Sequence, residues 1–132
     1  MVILKYSLLF FFFISQFCYS QWFWQNPPQL RSISFFNAVL GAAVGDDGII
    51  LRSSTSGYIW YKQTSGTTSD LYDVSFADPN NGTVVGESGI ILRTTDGGEN
   101  WEQQDNSYSN NLNRILFKDD LTGWAIGEKG MI

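Results

Sequence analysis

The chain repeats itself every 41 residues, and nothing else in it constrains the fold as much. Residues 30–60, LRSISFFNAVLGAAVGDDGIILRSSTSGYIW, align without a gap on residues 71–101, LYDVSFADPNNGTVVGESGIILRTTDGGENW, with 13 identities in 31 positions. A third copy, LNRILFKDDLTGWAIGEKGMI, begins at Leu112, again 41 residues on, and matches the second at 8 of 21 positions. Equal spacing of this kind is the signature of an array in which each unit covers its neighbour's apolar face.

Each unit reads as four short strands. In the middle copy Leu71, Asp73 and Ser75 alternate with Tyr72, Val74 and Phe76, a period of two. Asp78-Pro79-Asn80-Asn81-Gly82 is turn chemistry. Thr83-Val84-Val85 reads as a second strand and Glu87-Ser88-Gly89 as a tight hairpin turn, with Gly89 free to take a positive φ. Ile90 to Thr95 reads as a third strand, rich in β-branched residues, and a fourth is expected to begin at Asn100-Trp101. No window has a helical period. The predicted fold is all-β: β-propeller blades of four antiparallel strands, one per repeat. A solenoid coil is usually shorter, about 20–30 residues, and a sandwich has no reason for equal spacing. The expected division is 30–70, 71–111 and a truncated 112–132. Two and a half units do not close a ring of four to eight blades, so the sequence reads as a fragment with an incomplete ring and further blades elsewhere. Residues 21–29 are expected to be an orphan closing strand.

The start of the chain has a different logic. Lys5 is followed by the apolar run Leu8 to Ile14, with Cys18 and Ser20 as small residues before a cut after Ser20. That order predicts a signal peptide over residues 1–20 and a secreted or cell-envelope protein. The run is too short for a membrane span of about 20 apolar residues, so none is expected in the mature chain. Cleavage would remove the single cysteine; the chain has no histidine. Disulfides, thiol nucleophiles, Cys/His zinc sites and histidine bases are then excluded. Seven basic against thirteen acidic residues would remain, which argues against nucleic acid as a partner. No cofactor, metal or catalytic residue is expected.

The stretch Thr94 to Trp101, TTDGGENW, poses the choice between a ligand site and a turn. Its Thr94-x-Asp96-x-Gly98-x-Asn100-Trp101 spacing resembles the Asp-box of sialidase-like propellers. The Asp side chain is expected to accept backbone N–H bonds within the turn, Gly98 to supply backbone freedom, and Trp101 to pack between blades. One carboxylate without further oxygen ligands is a poor calcium site. The first copy has a degenerate box, Ser53, Thr55, Gly57 and Trp60, with Thr55 in place of the Asp. A catalytic acid is not expected to recur by period and then become Thr, whereas a turn staple can.

The wider unit carries a second resemblance. Leu71, Val74, Phe76, Gly82, Gly86, Gly89 to Arg93 and the Asp-box together resemble the photosystem II assembly and stability factor family of propellers, over nearly all of residues 22–132. Trp22 to Pro27 is similar to the opening of secreted bacterial members. The resemblance implies a seven-bladed propeller that binds protein and is not an enzyme; its photosynthetic members chaperone a photosystem reaction-centre subunit. The expected function is therefore a non-catalytic module for a protein or a surface polymer, with a fragment of an Asp-box glycoside hydrolase as the alternative.

Two further sets share a repeat phase. Asp46, Glu87 and Glu128, in GDDG, GESG and GEKG, would ring one face. They are either a binding face for a cation or basic partner, or polar turn residues. Arg52 and Arg93 each follow Ile-Ile-Leu. They read as exposed charges or blade-to-blade contacts rather than a carboxylate clamp. No pair of acids has the spacing that glycoside hydrolysis requires. Asn81-Gly82-Thr83 matches the glycosylation acceptor pattern and sits in a turn.

Overall fold

The computed structural model describes residues 28–130. The expected signal-peptide segment, residues 1–20, lies outside them, as do residues 21–27 of the expected closing strand; Pro28 and Gln29 are described and belong to no strand. The first repeat forms β1 (Leu30–Phe35), β2 (Gly41–Gly45), β3 (Ile50–Ser53) and β4 (Tyr61–Gln63). The second forms β5 (Leu71–Phe76), β6 (Gly82–Gly86), β7 (Ile91–Thr94) and β8 (Glu102–Gln103), and the third contributes β9 (Leu112–Phe117) and β10 (Gly123–Gly127). The two complete repeats are antiparallel four-stranded meanders, β1-β2-β3-β4 and β5-β6-β7-β8, and β9 pairs with β10. The first strand of each sheet lies against the first strand of the next, β1 on β5 and β5 on β9. This is the side-by-side stacking of propeller blades.

Each hairpin is specified locally. Between the first two strands, one side-chain oxygen caps two backbone N–H groups. Asn37 Oδ1 accepts from Val39 and Leu40, Asp78 Oδ1 from Asn80 and Asn81, and Asp119 Oδ1 from Leu121 and Thr122, all at 2.7–3.0 Å. The Asn81 amide, and then the Asn80 and Asn81 N–H groups, hold the Asp78 carboxyl below its ordinary range, and the Leu121 N–H foremost does the same for Asp119. The second strand ends at a glycine because the chain entering the sheet passes over it. A Cβ at Gly86 would stand 2.2 Å from the Asp70 carbonyl oxygen, and one at Gly45 1.9 Å from that of Gln29. The hairpin that follows is a three-residue 3-10 turn. Here a second residue besides Gly takes positive φ: Asp47, Ser88 and Lys129 lie at 54–60°, which sequence reading assigned to glycine alone.

The core sits between the first two sheets. Ala42, Val44 and Ile50 of the first meet Leu71, Val74, Val84, Ile90, Leu92 and Trp101 of the second, with Phe76 against them. The expected alternation in β5 is broken. Leu71, Asp73 and Val74 are all buried, because the register of β5 on β6 slips between Leu71 and Asp73. Nor does β8 begin at Asn100-Trp101. Both residues belong to the preceding turn, and the strand is Glu102–Gln103. Among the described residues no helix is long and apolar enough to cross a membrane.

A candidate binding rim and the turns that hold it

The register slip in β5 recurs in every repeat at the same place. Leu30 pairs with Gly45 and Ser32 with Val44; Leu71 with Gly86 and Asp73 with Val85; Leu112 with Gly127 and Arg114 with Ile126. One residue in each first strand, Arg31, Tyr72 and Asn113, is left unpaired as a bulge. Bulges re-aim side chains and concentrate near functional sites. Here they bring Arg31, Tyr72 and Asn113 together with Asn111 and Arg114 around an open concavity of about 380 Å³. The Arg31 guanidinium lies 5.2 Å from the Tyr72 ring centroid, within cation–π range. Burial, with Glu87 and Asp70 nearby, pushes the Tyr72 phenol above its ordinary value, so it stays neutral and can donate.

Acids surround this rim and are occupied. Arg31 bonds the Asp46 carboxylate and reaches Asp70 Oδ2 at 3.4 Å. Asp70 Oδ1 accepts from the Asp47 N–H at 3.1 Å, and in the next repeat Asn111 Oδ1 accepts from the Ser88 N–H at 2.9 Å. Each tie joins the turn of one sheet to the start of the next. Glu87 Oε2 lies 3.4 Å from the Asp70 N–H, and Glu128 Oε1 accepts from Asn111 Nδ2 at 3.0 Å. The structure therefore sets Asp46, Glu87 and Glu128 at equivalent turns and gives each a partner beside the first strand. Below the rim the buried Asp73 carboxylate accepts from Ser32 Oγ at 2.5 Å and from the Ile115 N–H at 2.9 Å, with Arg114 Nη1 at 3.9 Å. One side chain thus links all three sheets.

At the other end of the blades stands the Thr94–Trp101 turn, which has the spacing expected of an Asp-box. Thr94 is 1% exposed; its Oγ1 donates to Asp96 Oδ1 at 2.8 Å and accepts from the Gly98 N–H at 2.9 Å. Asp96 Oδ1 also accepts from the N–H groups of Glu99 and Asn100 at 3.0 and 2.9 Å, and Oδ2 from Asn100 Nδ2 at 2.7 Å. These bonds, the Asn100 N–H foremost, hold the Asp96 carboxyl down at about 2. Trp101 Nε1 donates to the Gly98 carbonyl at 3.2 Å, and its ring meets Phe76 edge-on at 6.3 Å. The degenerate box has the same outline. Ser53 Oγ accepts from the N–H groups of Thr55 and Gly57, Thr55 Oγ1 from the Ile59 N–H, and Trp60 donates to Gly57 O and meets Phe35 at 5.8 Å. Across the gap between blades, Arg52 Nε donates to Gly97 O at 2.8 Å and Nη2 pairs with Glu99 at 3.2 Å. Arg52 is thus a blade-to-blade strap. Arg93, at the same phase, has no such partner among the described residues.

The sequence profile of the photosynthesis system II assembly factor YCF48 family matches residues 52–132. The chain belongs to that family. A solved YCF48 structure described as bound to a D1 peptide superposes with a TM-score of 0.70 at 27% identity, covering 78% of this chain and 35% of its own. YCF48 from Cyanidioschyzon merolae shares the fold, with a TM-score of 0.67 at 20% identity over 77% of this chain and 36% of its own. The chain therefore spans about a third of the length of these YCF48 structures. No curated protein sequence matches it.

Against the YCF48 fold, the rim is what sequence reading missed. Tyr72 read as an ordinary alternating strand position, and no role was expected for Arg31. A bulge has no residue signature of its own here. The one available signal was the equal phase of residues 31, 72 and 113. The sequon at Asn81 is equally uninformative as a site, since Asn81 Nδ2 already donates to Asp78 Oδ2 at 2.7 Å.

Proposed function

We propose that this chain is a non-catalytic binding module that takes an extended segment of a partner protein across the rim built by Arg31, Tyr72, Asn113 and Arg114. The observation that carries this reading is the bulge repeated in all three first strands. It turns a guanidinium, a phenol and an amide toward one concavity. Asn113 offers a donor and an acceptor to a peptide main chain, while Asn111 is tied to Ser88 and Glu128. Arg114, 66% exposed at its side chain, is the cation most available for two-pronged bonding of a carboxylate. Arg31 is already tied to Asp46 and Asp70 and serves to support the Tyr72 ring. A relative in the same family is described as bound to a D1 peptide, which supports an extended peptide as the ligand class. Residues 1–20 are proposed as a cleaved signal peptide, which would put the module outside the cytoplasm; N-terminal sequencing of the purified protein checks that separately.

The test is fluorescence anisotropy with labelled peptides ending in a free carboxylate. Arg114→Ala is expected to weaken binding about tenfold, the loss of roughly one charge-assisted contact. Amidating the peptide terminus should do the same to the parent protein and little to the variant. Binding that ignores both changes would remove the rim from the reading. The glycoside hydrolase alternative gains nothing from the box carboxylate, which is enclosed by its own turn.

A further inference from the structure

Both complete blades carry a polar groove at the same repeat phase, apart from the rim residues. In the second blade it lies between the Glu87–Gly89 turn and the segment leaving β8, where Ser88, Gln103, Gln104, Asn106 and Tyr108 line a concavity of about 310 Å³. In the first, Asp47, Lys62, Gln63, Ser65 and Thr67 line one of about 570 Å³. The two sets correspond at an offset of 41 residues.

Both floors are built. Asn106 Nδ2 donates to the Gly89 carbonyl at 3.0 Å while its Oδ1 accepts from the Tyr108 N–H at 2.8 Å. In the first blade Ser65 Oγ donates to the Thr67 carbonyl at 3.1 Å and accepts from the Thr67 N–H at 3.3 Å. Turn and segment touch closely enough that a Cβ at Gly89 would stand 2.3 Å from the Tyr108 carbonyl oxygen, and one at Gly48 2.1 Å from that of Thr67. The lining is thus held before any ligand arrives, which lowers the ordering cost of binding.

The two grooves share neutral hydrogen-bonding groups and differ in charge. Gln63 and Gln104 are identical by phase, and Ser65 and Asn106 each accept the N–H two residues on. The charges do not repeat: Lys62 becomes Gln103, and Thr64 becomes Asp105. A ligand read by the recurring features is therefore neutral and dense in hydroxyl or amide groups. An anion would meet Glu87 and Asp105 in the second groove, and an apolar ligand would leave the lining unpaired. Tyr108, 53% exposed, adds an aromatic face beside the amides, the pairing that suits the apolar C–H face and the hydroxyl rim of a sugar ring. We propose that these grooves bind carbohydrate, with Tyr108 as the stacking platform and Gln104 as a hydrogen-bonding partner. Two equivalent grooves in one chain match a ligand that itself repeats, a neutral polysaccharide. This site is independent of the peptide rim.

The experiment is calorimetric titration of the full chain with neutral hexasaccharides of glucose and of N-acetylglucosamine, and with the corresponding monosaccharides. At least one hexasaccharide is expected to bind, more tightly than its monosaccharide by tenfold or more, since engaging a second groove is intramolecular. Tyr108→Ala should weaken it about tenfold with an unchanged circular dichroism spectrum, and Arg114→Ala should leave it unaltered. Thr67→Tyr, at a residue that lines both grooves, adds a second aromatic and should tighten it. Absence of binding by every neutral oligosaccharide at millimolar concentration overturns the proposal. So does sugar binding indifferent to both Tyr108→Ala and Thr67→Tyr, or a groove that takes oligolysine and no sugar.

Discussion

The box-like turn at Thr94–Trp101 and its counterpart at Ser53–Trp60 share one outline and fill it with unequal bonds. Both begin with a buried hydroxyl that receives the N–H four residues on, and both end with a tryptophan that bonds a glycine carbonyl three residues back. They differ at the third position. Asp96 gathers the N–H groups of Glu99 and Asn100 and the Asn100 amide. Thr55 has one oxygen, which takes the Ile59 N–H, and the Tyr58 N–H falls back on the Thr55 carbonyl at 3.1 Å. Glycine is replaced too: Ser56 holds φ 58° where Gly97 holds 70°, a strain that L side chains accept at some cost. The turn survives these losses because the hydroxyl and the tryptophan are kept. What the two turns have in common is a held aromatic ring, and what Asp96 adds is further bonds within the turn.

The largest effect should follow from removing that ring. Trp101 is 8% exposed and belongs to the core between the two sheets, so Trp101→Ala should cost about 3–5 kcal/mol in urea unfolding. Trp60 is only half-buried, and Trp60→Ala should cost clearly less. Equal losses would mean that the two boxes are equivalent and that the core is not centred on the second blade.

Next in size is the strap. Arg52 joins the first blade to the second box through Gly97 O and Glu99. Arg52→Ala should destabilise by about 1–2 kcal/mol, most of it from the charged bond to the half-buried carbonyl, because the exposed Glu99 pair contributes little. Arg93→Ala should fall within about 0.5 kcal/mol of the parent. A double substitution with Glu99→Ala that is fully additive would reduce the strap to its carbonyl bond.

These contrasts also mark how much could be read from residues alone. The repeat made the blades and their strand order legible, because a period aligns turn residues with turns and apolar residues with strands. The Arg52 strap was legible only as one of two readings, since a phase says where a charge recurs and not what it faces. The rim was not legible. It depends on a backbone slip between Leu71 and Asp73, and any residue can occupy the bulged position, as Arg31, Tyr72 and Asn113 do. Asp73 was hidden for the same reason. A carboxylate in a first strand reads as solvent-facing, while its partners Ser32 and the Ile115 N–H come from the neighbouring repeats.

Replacing the reinforcement should have a smaller effect and a pH signature. Asp96→Ala is expected to cost about 1 kcal/mol, on the scale of a lost helix cap. The folded carboxyl titrates at about 2, below its ordinary value of 3.8. A lowered folded value means that the contribution is complete above pH 3.8 and fades as pH falls toward 2. The difference between parent and Asp96→Ala should therefore be constant at neutral pH and shrink across that interval, and a difference that persisted unchanged at pH 2 would assign the loss to packing.

The smallest effect is a gain. Thr55→Asp with Ile59→Asn writes the missing reinforcement into the first blade, where the Tyr58 and Ile59 N–H groups already point at position 55. The double variant should be more stable by about 0.5–1 kcal/mol, less than Asp96→Ala loses, because Ser56 would still hold a positive φ that glycine tolerates better. Adding Ser56→Gly should recover part of the remainder. If all three changes together left stability where it was, the strength of a box would be set by what its tryptophan packs on, Phe76 in one blade and Phe35 in the other, and not by the turn that holds it.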